Sequence, residues 1–469
     1  MKSSKAQTRR KFHRLPSLKF EAEKRLTAFG GLVIFMALFR SLELQKRLRE
    51  CFAHLGGQKI FGFSKIMLLL VIQQLLGFRR LRDLDTYRHD PLVVRALGVD
   101  KLPDVSVVSR TLKDVDATAV EKVRGLAREF VLERLATEKF ARVTLDFDGS
   151  VQSTKGHAEG TAVGFNKVKK GSRSYYPLYC TVAQSGQFLD LLHRPGNVHD
   201  SRGAREFMLA CFAAVREHLP TVRLETRIDS AFFSEAILDA LSAADVGFTC
   251  SVPFNRFPAW KHAIEQLGVD DGWHRIDDDV CYAEMLWKPK TWADGKGFRF
   301  LAVRRRKVKQ TKGPLQLDLF EPRDHEFEYK VVVTNRLQRA RAVLEFHNGR
   351  GSQEQLFAEG KQFAGLGVVA TRRKLGNQLV TLAGLLAHNL AREVQMCAAP
   401  PTRPTTAKRP ARWAFMQLGT IQRTLVSCAG ILSRPQGRLA LTLGVSASAR
   451  DKILSLTEAA CGSSIRDAA

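Results

Sequence analysis

Thr144-Leu145-Asp146-Phe147-Asp148-Gly149-Ser150 is the stretch on which the reading of this 469-residue chain turns. As a strand with a period of two, it sends Leu145 and Phe147 to one sheet face and Asp146 and Asp148 to the other. From about Arg142 onward, short segments rich in β-formers follow one another at 143–147, 175–182, 188–192, 223–228 and 248–252. Helical spacing returns between them at 204–215 and 234–241. The order β-β-β-α-β-α-β predicts a mixed α/β sheet.

Upstream, residues 1–136 read as an all-helical region, with apolar residues at helical spacing through 26–44, 66–76 and 120–135. Leu102-Pro103-Asp104-Val105 predicts a turn, and Ser106 a cap for a short basic helix over 107–113. That layout suits a DNA-contacting module and equally an ordinary solvated helix. Residues 137–253 form the first part of the α/β core. Residues 254–329 break its rhythm with Trp260, Trp273, Trp287 and Trp292 and predict a β-rich insertion. A strand at 330–335 resumes the core over 330–398, with helices at 352–363 and 377–394. A Pro-rich basic linker, 399–412, then leads to a small region, 413–469, with a polar tail.

Seventy-four Lys and Arg against 47 Asp and Glu leave a formal charge of +27, while 45% hydrophobic residues exclude wholesale disorder. Such a surface calls for a polyanion. Nucleic acid leads, because neutralising phosphates releases counterions; an anionic membrane surface is the competitor. The apolar run 26–39 is shorter than the roughly 20 residues a bilayer requires, and 64–78 carries Lys65, Gln73 and Gln74. The basic first fifteen residues lack a following apolar core and cleavage site, so no membrane partner is expected and the location expected is cytoplasmic. Eight scattered cysteines without a C-x-x-C pair predict reduced thiols, and His193, His199 and Asp200 match no zinc spacing. Neither a G-x-x-x-x-G-K-[ST] phosphate loop nor a G-x-S-x-G elbow occurs.

In so basic a chain, acids at strand ends stand out. Asp229 follows a strand in Arg227-Ile228-Asp229-Ser230-Ala231-Phe232 much as Asp148 ends the first one. Neighbouring strands lie about 5 Å apart, so carboxylates at adjacent strand ends are placed to share a divalent cation; the plainer reading is a cap on the next helix. Asp146 is the rival of Asp148. The third piece is His347-Asn348-Gly349-Arg350-Gly351-Ser352-Gln353-Glu354, continuing to Lys361. On one helix, His347, Arg350, Glu354 and Lys361 would share a stripe. Gly349 and Gly351 oppose that, and Ser352-x-x-Gln355 predicts a helix starting at Ser352. A solvated helix face is the alternative, and Glu359, on a different face, reads as solvated.

The spacing His347-x2-Arg350-x3-Glu354-x6-Lys361 resembles the Y-x2-R-x3-E-x6-K signature of bacterial insertion-sequence transposases of the DDE class, group 1, with His in place of Tyr. Asp148-Gly149-Ser150 resembles that family's D-x-T/S motif, and Arg227-Ile228-Asp229-Ser230-Ala231-Phe232 its R-x-D-S-x-F motif. Ser174-Tyr175-Tyr176-Pro177-Leu178, Arg194-Pro195-Gly196-Asn197 and His388-Asn389-Leu390 add to the likeness, which runs from about Leu26 to Arg392. The three acids fall in the family's order, 81 and then 125 residues apart.

The resemblance implies an RNase H-like catalytic core interrupted by the insertion, with Asp148, Asp229 and Glu354 as catalytic residues and ligands of two Mg²⁺ or Mn²⁺ ions. Arg350, Lys361 and His347 would contact DNA phosphates. The implied activity is cut-and-paste transposition: binding of terminal inverted repeats by the N-terminal region, cleavage of double-stranded DNA and strand transfer into a target, by a homodimer on the bacterial nucleoid. The departure at His347 keeps a catalytically degenerate DNA-binding protein open, and a related two-metal nuclease without strand transfer is the other alternative. Lys167, Lys169, Lys170 and Arg173, and the run 304–309, are expected either to track phosphates or to be solvated. The insertion's Trp residues would stack on a flipped base or, for most of them, fill a core.

Overall fold

The computed structural model describes residues 24–56, 60–164, 166, 169–253, 256–267, 272–306, 327–403 and 411–462. The basic first fifteen residues, Lys167, the end of the 304–309 run, half of the Pro-rich linker and the polar tail lie outside them.

The sheet is built outward from β1 (Arg142–Gly149). That strand pairs antiparallel with β2 (Leu178–Val182), which pairs antiparallel with β3 (Gln187–Leu192). On its other side it runs parallel to β4 (Arg223–Ile228), and β4 runs parallel to β5 (Val246–Ser251). Four further strands continue the same sheet: β6 (His274–Arg275), β7 (Val280–Met285), β8 (Arg299–Arg306) and β9 (Phe327–Thr334), in the spatial order β6-β7-β8-β9-β5-β4-β1-β2-β3. The mixed sheet expected from the sequence is therefore present, and the segment that broke its rhythm lengthens one edge. Trp260 is fully buried there, stacked on Trp287 with ring centroids 3.8 Å apart, and Trp292 stacks on Phe233.

Helices cover both faces. One face carries α7 (Ala204–His218) and α8 (Glu235–Ala243), whose Phe207, Phe212 and Leu238 pack with Phe147 and Ile228. The other carries α6 (Ala117–Glu138), α11 (Gly351–Phe363) and the long buried α12 (Lys374–Ala398). After β5 comes α9 (Pro258–Gln266), and between β9 and α11 lies α10 (Ala340–Asn348). Before α6 the chain forms α1 (Val33–Ser41), α2 (Leu44–Cys51), α3 (Phe63–Leu75), α4 (Pro91–Leu97) and α5 (Val105–Lys113). These early helices share one apolar cluster with α12 and with α13 (Ala447–Cys461) from the end of the chain.

Several local expectations are corrected. The stretch 26–44 is not continuously helical: Leu26–Thr27 is a short strand paired with Gly430–Ser433, and the helix begins after Gly30-Gly31. A Cβ on Gly31 would stand 2.0 Å from the Leu425 carbonyl oxygen, so the close approach of those segments requires glycine. The strand expected over 175–182 is two: Arg173–Tyr175 belongs to a small separate sheet, and β2 starts only after Pro177, which has no N–H to give a ladder. Asp104, not Ser106, precedes α5, and its carboxylate pairs with Arg88.

Candidate active site

Asp148 and Asp229 meet because of register. Asp146 on β1 lies opposite Arg227 on the parallel neighbour β4, and two residues further on each chain an aspartate leaves the sheet at the same end. Each uses one oxygen locally: Asp148 Oδ1 accepts from the Gly149 N–H at 2.8 Å, and Asp229 Oδ1 accepts from Ala231 N–H at 2.9 Å. The capping expected of a strand-end acid is thus real at Asp229. The remaining Oδ2 atoms face a common cation, Arg350 Nη1, at 4.0 Å from Asp148 and 3.7 Å from Asp229.

Electrostatics mark Asp148 out. Burial first, and then the neighbouring Asp229 carboxylate, push its pKa up to about 7, against the pull of Arg350. Two carboxylates and one guanidinium leave the site short of positive charge. Lys361, half-buried on α11, feels Asp148, although burial holds its own pKa below the usual lysine value.

The four residues of the expected stripe separate. The chain breaks at Gly349 and Arg350, ending α10 at Asn348 and starting α11 at Gly351, so His347 and Lys361 are on different helices. Ser352 does not cap α11; its hydroxyl donates to Gly349 O. Arg350 and Lys361 come to the acids. Glu354 sits exposed in the first turn of α11, and among the described residues no three His, Cys, Asp or Glu side chains gather at metal-holding distance. His347 departs from the expected phosphate contact: it is 2% exposed, with Nδ1 3.0 Å from Thr249 Oγ1 and Nε2 2.9 Å from Ser251 Oγ, both on β5. Burial and the nearby Lys330, Arg350 and Arg227 charges hold its pKa well below the usual value.

Asp146 is not a rival at the surface. It is wholly buried, its carboxylate gripped by Arg227 Nε at 2.8 Å and by Nη2. Glu359, expected to be solvated, is also buried: it pairs with Arg392 and accepts the Leu418 N–H at 2.7 Å. Helical periodicity put it on another face, but that face meets α12 and the segment at Leu418 rather than water.

One carboxylate was missed as part of this site. Asp200 accepts from the Tyr176 hydroxyl at 3.1 Å and raises the pKa of Asp148, while its own is raised by burial and by Asp229. A Cβ on Gly149 would stand 2.4 Å from the Tyr176 ring and 2.6 Å from Asp200 Oδ1, so Gly149 is the residue that lets these groups close on the acids. The run Arg194-Pro195-Gly196-Asn197 was the available signal. Arg194 reaches back to the carbonyls of Asp200 and Arg202, at 2.9 and 3.1 Å, and to Tyr176 O at 3.1 Å. His193 is half-buried against Tyr175, with ring centres 4.3 Å apart and planes tilted by 56°.

The geometry can hold a hard cation between two carboxylates. Their oxygens suit Mg²⁺ or Mn²⁺, and the Arg350 guanidinium already stands where positive charge is wanted. Among the described residues no helix is long and apolar enough to cross a membrane.

A family model described as transposase DDE domain, group 1, matches residues 16–460. No curated protein matches. Among solved structures, the piggyBac transposase synaptic complex with hairpin DNA is similar at a TM-score of 0.43 and 9% identity, over 81% of this chain and 78% of that one. The Mos1 transposase paired-end complex with left transposon end follows at 0.18 and 11%, over 41% and 59%. The Mos1 mariner paired-end complex with Mn gives 0.17 and 12%, over 34% and 52%. Structural likenesses of this size carry no weight of their own, and the family match stands without them.

Proposed function

Since the chain belongs to the DDE transposase family, group 1, we propose that it is an enzyme that cuts its element's terminal inverted repeats and joins the freed ends to target DNA. The observation that carries this reading is the pair of strand-end carboxylates, Asp148 and Asp229, facing one cation. The strand order β3-β2-β1-β4-β5, with β1 and β4 parallel, supports describing the core as RNase H-like.

Asp148 and Asp229, with Glu354 carried over from the motif, would hold Mg²⁺ or Mn²⁺. Bound there, divalent ions would supply Lewis-acid stabilisation of the attacking and leaving oxygens and an acidified water. The chain's own residues do the rest. Without metal, burial and the Asp229 carboxylate raise the Asp148 carboxyl to about 7, so a divalent cation arriving there would displace a proton and fix the carboxylate as its ligand. Arg350 balances the acids before DNA arrives and afterwards would turn its fork to a scissile phosphate, while Lys361 offers a point charge. The helices of residues 24–136 would grip the repeats, two copies would hold two ends, and the work would be done in the bacterial cytoplasm on the nucleoid.

The degenerate alternative rested on His347. That ring bonds Thr249 and Ser251 of β5 and neither acid, which favours the catalytic reading. The test is direct: purified protein, a labelled terminal-repeat duplex and Mg²⁺, with Asp229→Ala as control. Wild type should nick and, given target, yield joined product, whereas the variant should bind without cutting. Binding without nicking by wild type would remove the enzymatic reading, and nicking without joining would leave a nuclease.

A further inference from the structure

One sheet period beneath Asp148 and Asp229 lies a second polar layer that touches neither solvent nor substrate. Asp146 and Arg227 are opposed in the β1–β4 register and are 1% and 0% exposed. Arg227 grips the Asp146 carboxylate through Nε and Nη2 and extends Nη1 to the Phe346 carbonyl, 3.4 Å away in the last turn of α10. Its guanidinium also stands 5.4 Å from the Phe346 ring centre. One residue on, His347 is tied to Thr249 and Ser251 of β5. From the other side, the Asp146 carbonyl accepts from Thr181 Oγ1 at 3.3 Å, and Thr181 Oγ1 in turn accepts from Gln353 Nε2 at 3.0 Å. Gln353 is buried and immediately precedes Glu354.

A buried ion pair is a poor way to gain stability. Desolvating two charges consumes most of their attraction, and apolar residues of similar volume often do as well or better. What such a pair supplies is geometry, because the planar guanidinium fixes both distance and angle between its partners. Here those partners are the strand of Asp148, the strand of Asp229, and the helix end from which the chain turns to Arg350.

We propose that the Asp146–Arg227 pair, with the Phe346 carbonyl, is the positioning element of the site: it sets the spacing of Asp148 and Asp229 and the angle at which the α10–α11 bend presents Arg350. This rests on the metal-dependent reading above. Neither residue touches metal or DNA; both act through the acids two residues further on.

Two variants of the full chain test it. Arg227→Lys keeps the charge but loses the fork and the reach to Phe346. The paired change Asp146→Leu with Arg227→Met removes both charges at similar volume. Mn²⁺ binding without DNA is measured by calorimetry, terminal-repeat affinity by gel shift, and nicking under single turnover, with melting temperatures as the check on folding. The expected result is a folded protein with repeat affinity unchanged, Mn²⁺ affinity lower by about tenfold or more, and nicking slowed by roughly 10- to 100-fold, the usual penalty for disturbing groups that orient metal ligands. Folded variants with wild-type Mn²⁺ affinity and nicking would overturn it. So would the unfolding of both variants, which would assign the pair to stability alone. Failure of wild type itself to bind Mn²⁺ or nick would instead sink the reading on which this one rests.

Discussion

Asp148 carries a pH signature. In an unfolded chain its carboxyl titrates near 4, whereas in the fold burial and Asp229 raise it to about 7. The folded protein thus holds a proton that the unfolded chain has released. Stability from this group is complete below about pH 4 and drains away as pH rises through 7. In metal-free protein, Asp148→Asn should therefore gain on wild type between pH 4 and 8, by up to roughly 4 kcal/mol. Urea midpoints for both proteins at the two pH values measure it; a difference that stays constant with pH would contradict the assignment. The aspartates themselves were legible in the sequence, since strand alternation and two strand-end acids are local patterns. Asp200 was not, because its approach depends on Tyr176, Gly149 and Arg194 meeting in space.

Among elements, the break between α10 and α11 is the most informative. Gly349 and Gly351 announced it, and the consequence is that His347 serves β5 while Arg350 serves the acids. A seven-residue spacing implies a shared face only when one helix runs through it. Glu359 teaches the same lesson from inside an unbroken helix: periodicity gave its direction, but not what lay in that direction. Its buried carboxylate joins α11 to Arg392 of α12 and to the Leu418 N–H. Glu359→Ala should leave Arg392 buried without its partner and cost about 3–5 kcal/mol, read from guanidinium denaturation. A loss below 1 kcal/mol would show that water or another carboxylate replaces it. The strands at 223–228 and β1 were readable because burial on both faces of a parallel pair enforces β-formers. The division at Pro177 was the part that required knowing which ladder each half joins.

For the whole molecule, the apolar cluster shared by α1–α5, α12 and α13 makes the final segment part of the helical region. Composition separated residues 413–469 behind a Pro-rich linker, and only the tertiary contacts of Ile453, Leu456 and Leu425 reveal where they pack. A chain ending at residue 399 should lose cooperative unfolding of the helical region and aggregate, because Phe29, Leu32 and their neighbours would face water. Light scattering and thermal melts would register it; a monomeric truncation with an unchanged melting temperature would show that the region stands alone.

The pairing of Leu26–Thr27 with Gly430–Ser433 joins positions about 400 residues apart. On the ribosome, at roughly 5–20 residues per second, the early helices wait tens of seconds for the strand and helix that complete their core. A polypeptide interrupted late in synthesis would possess every acid of the site yet lack a finished helical face. Such a fragment would leave uncovered the apolar cluster that residues 430–461 help to close, so the helical face is finished only when those residues have emerged.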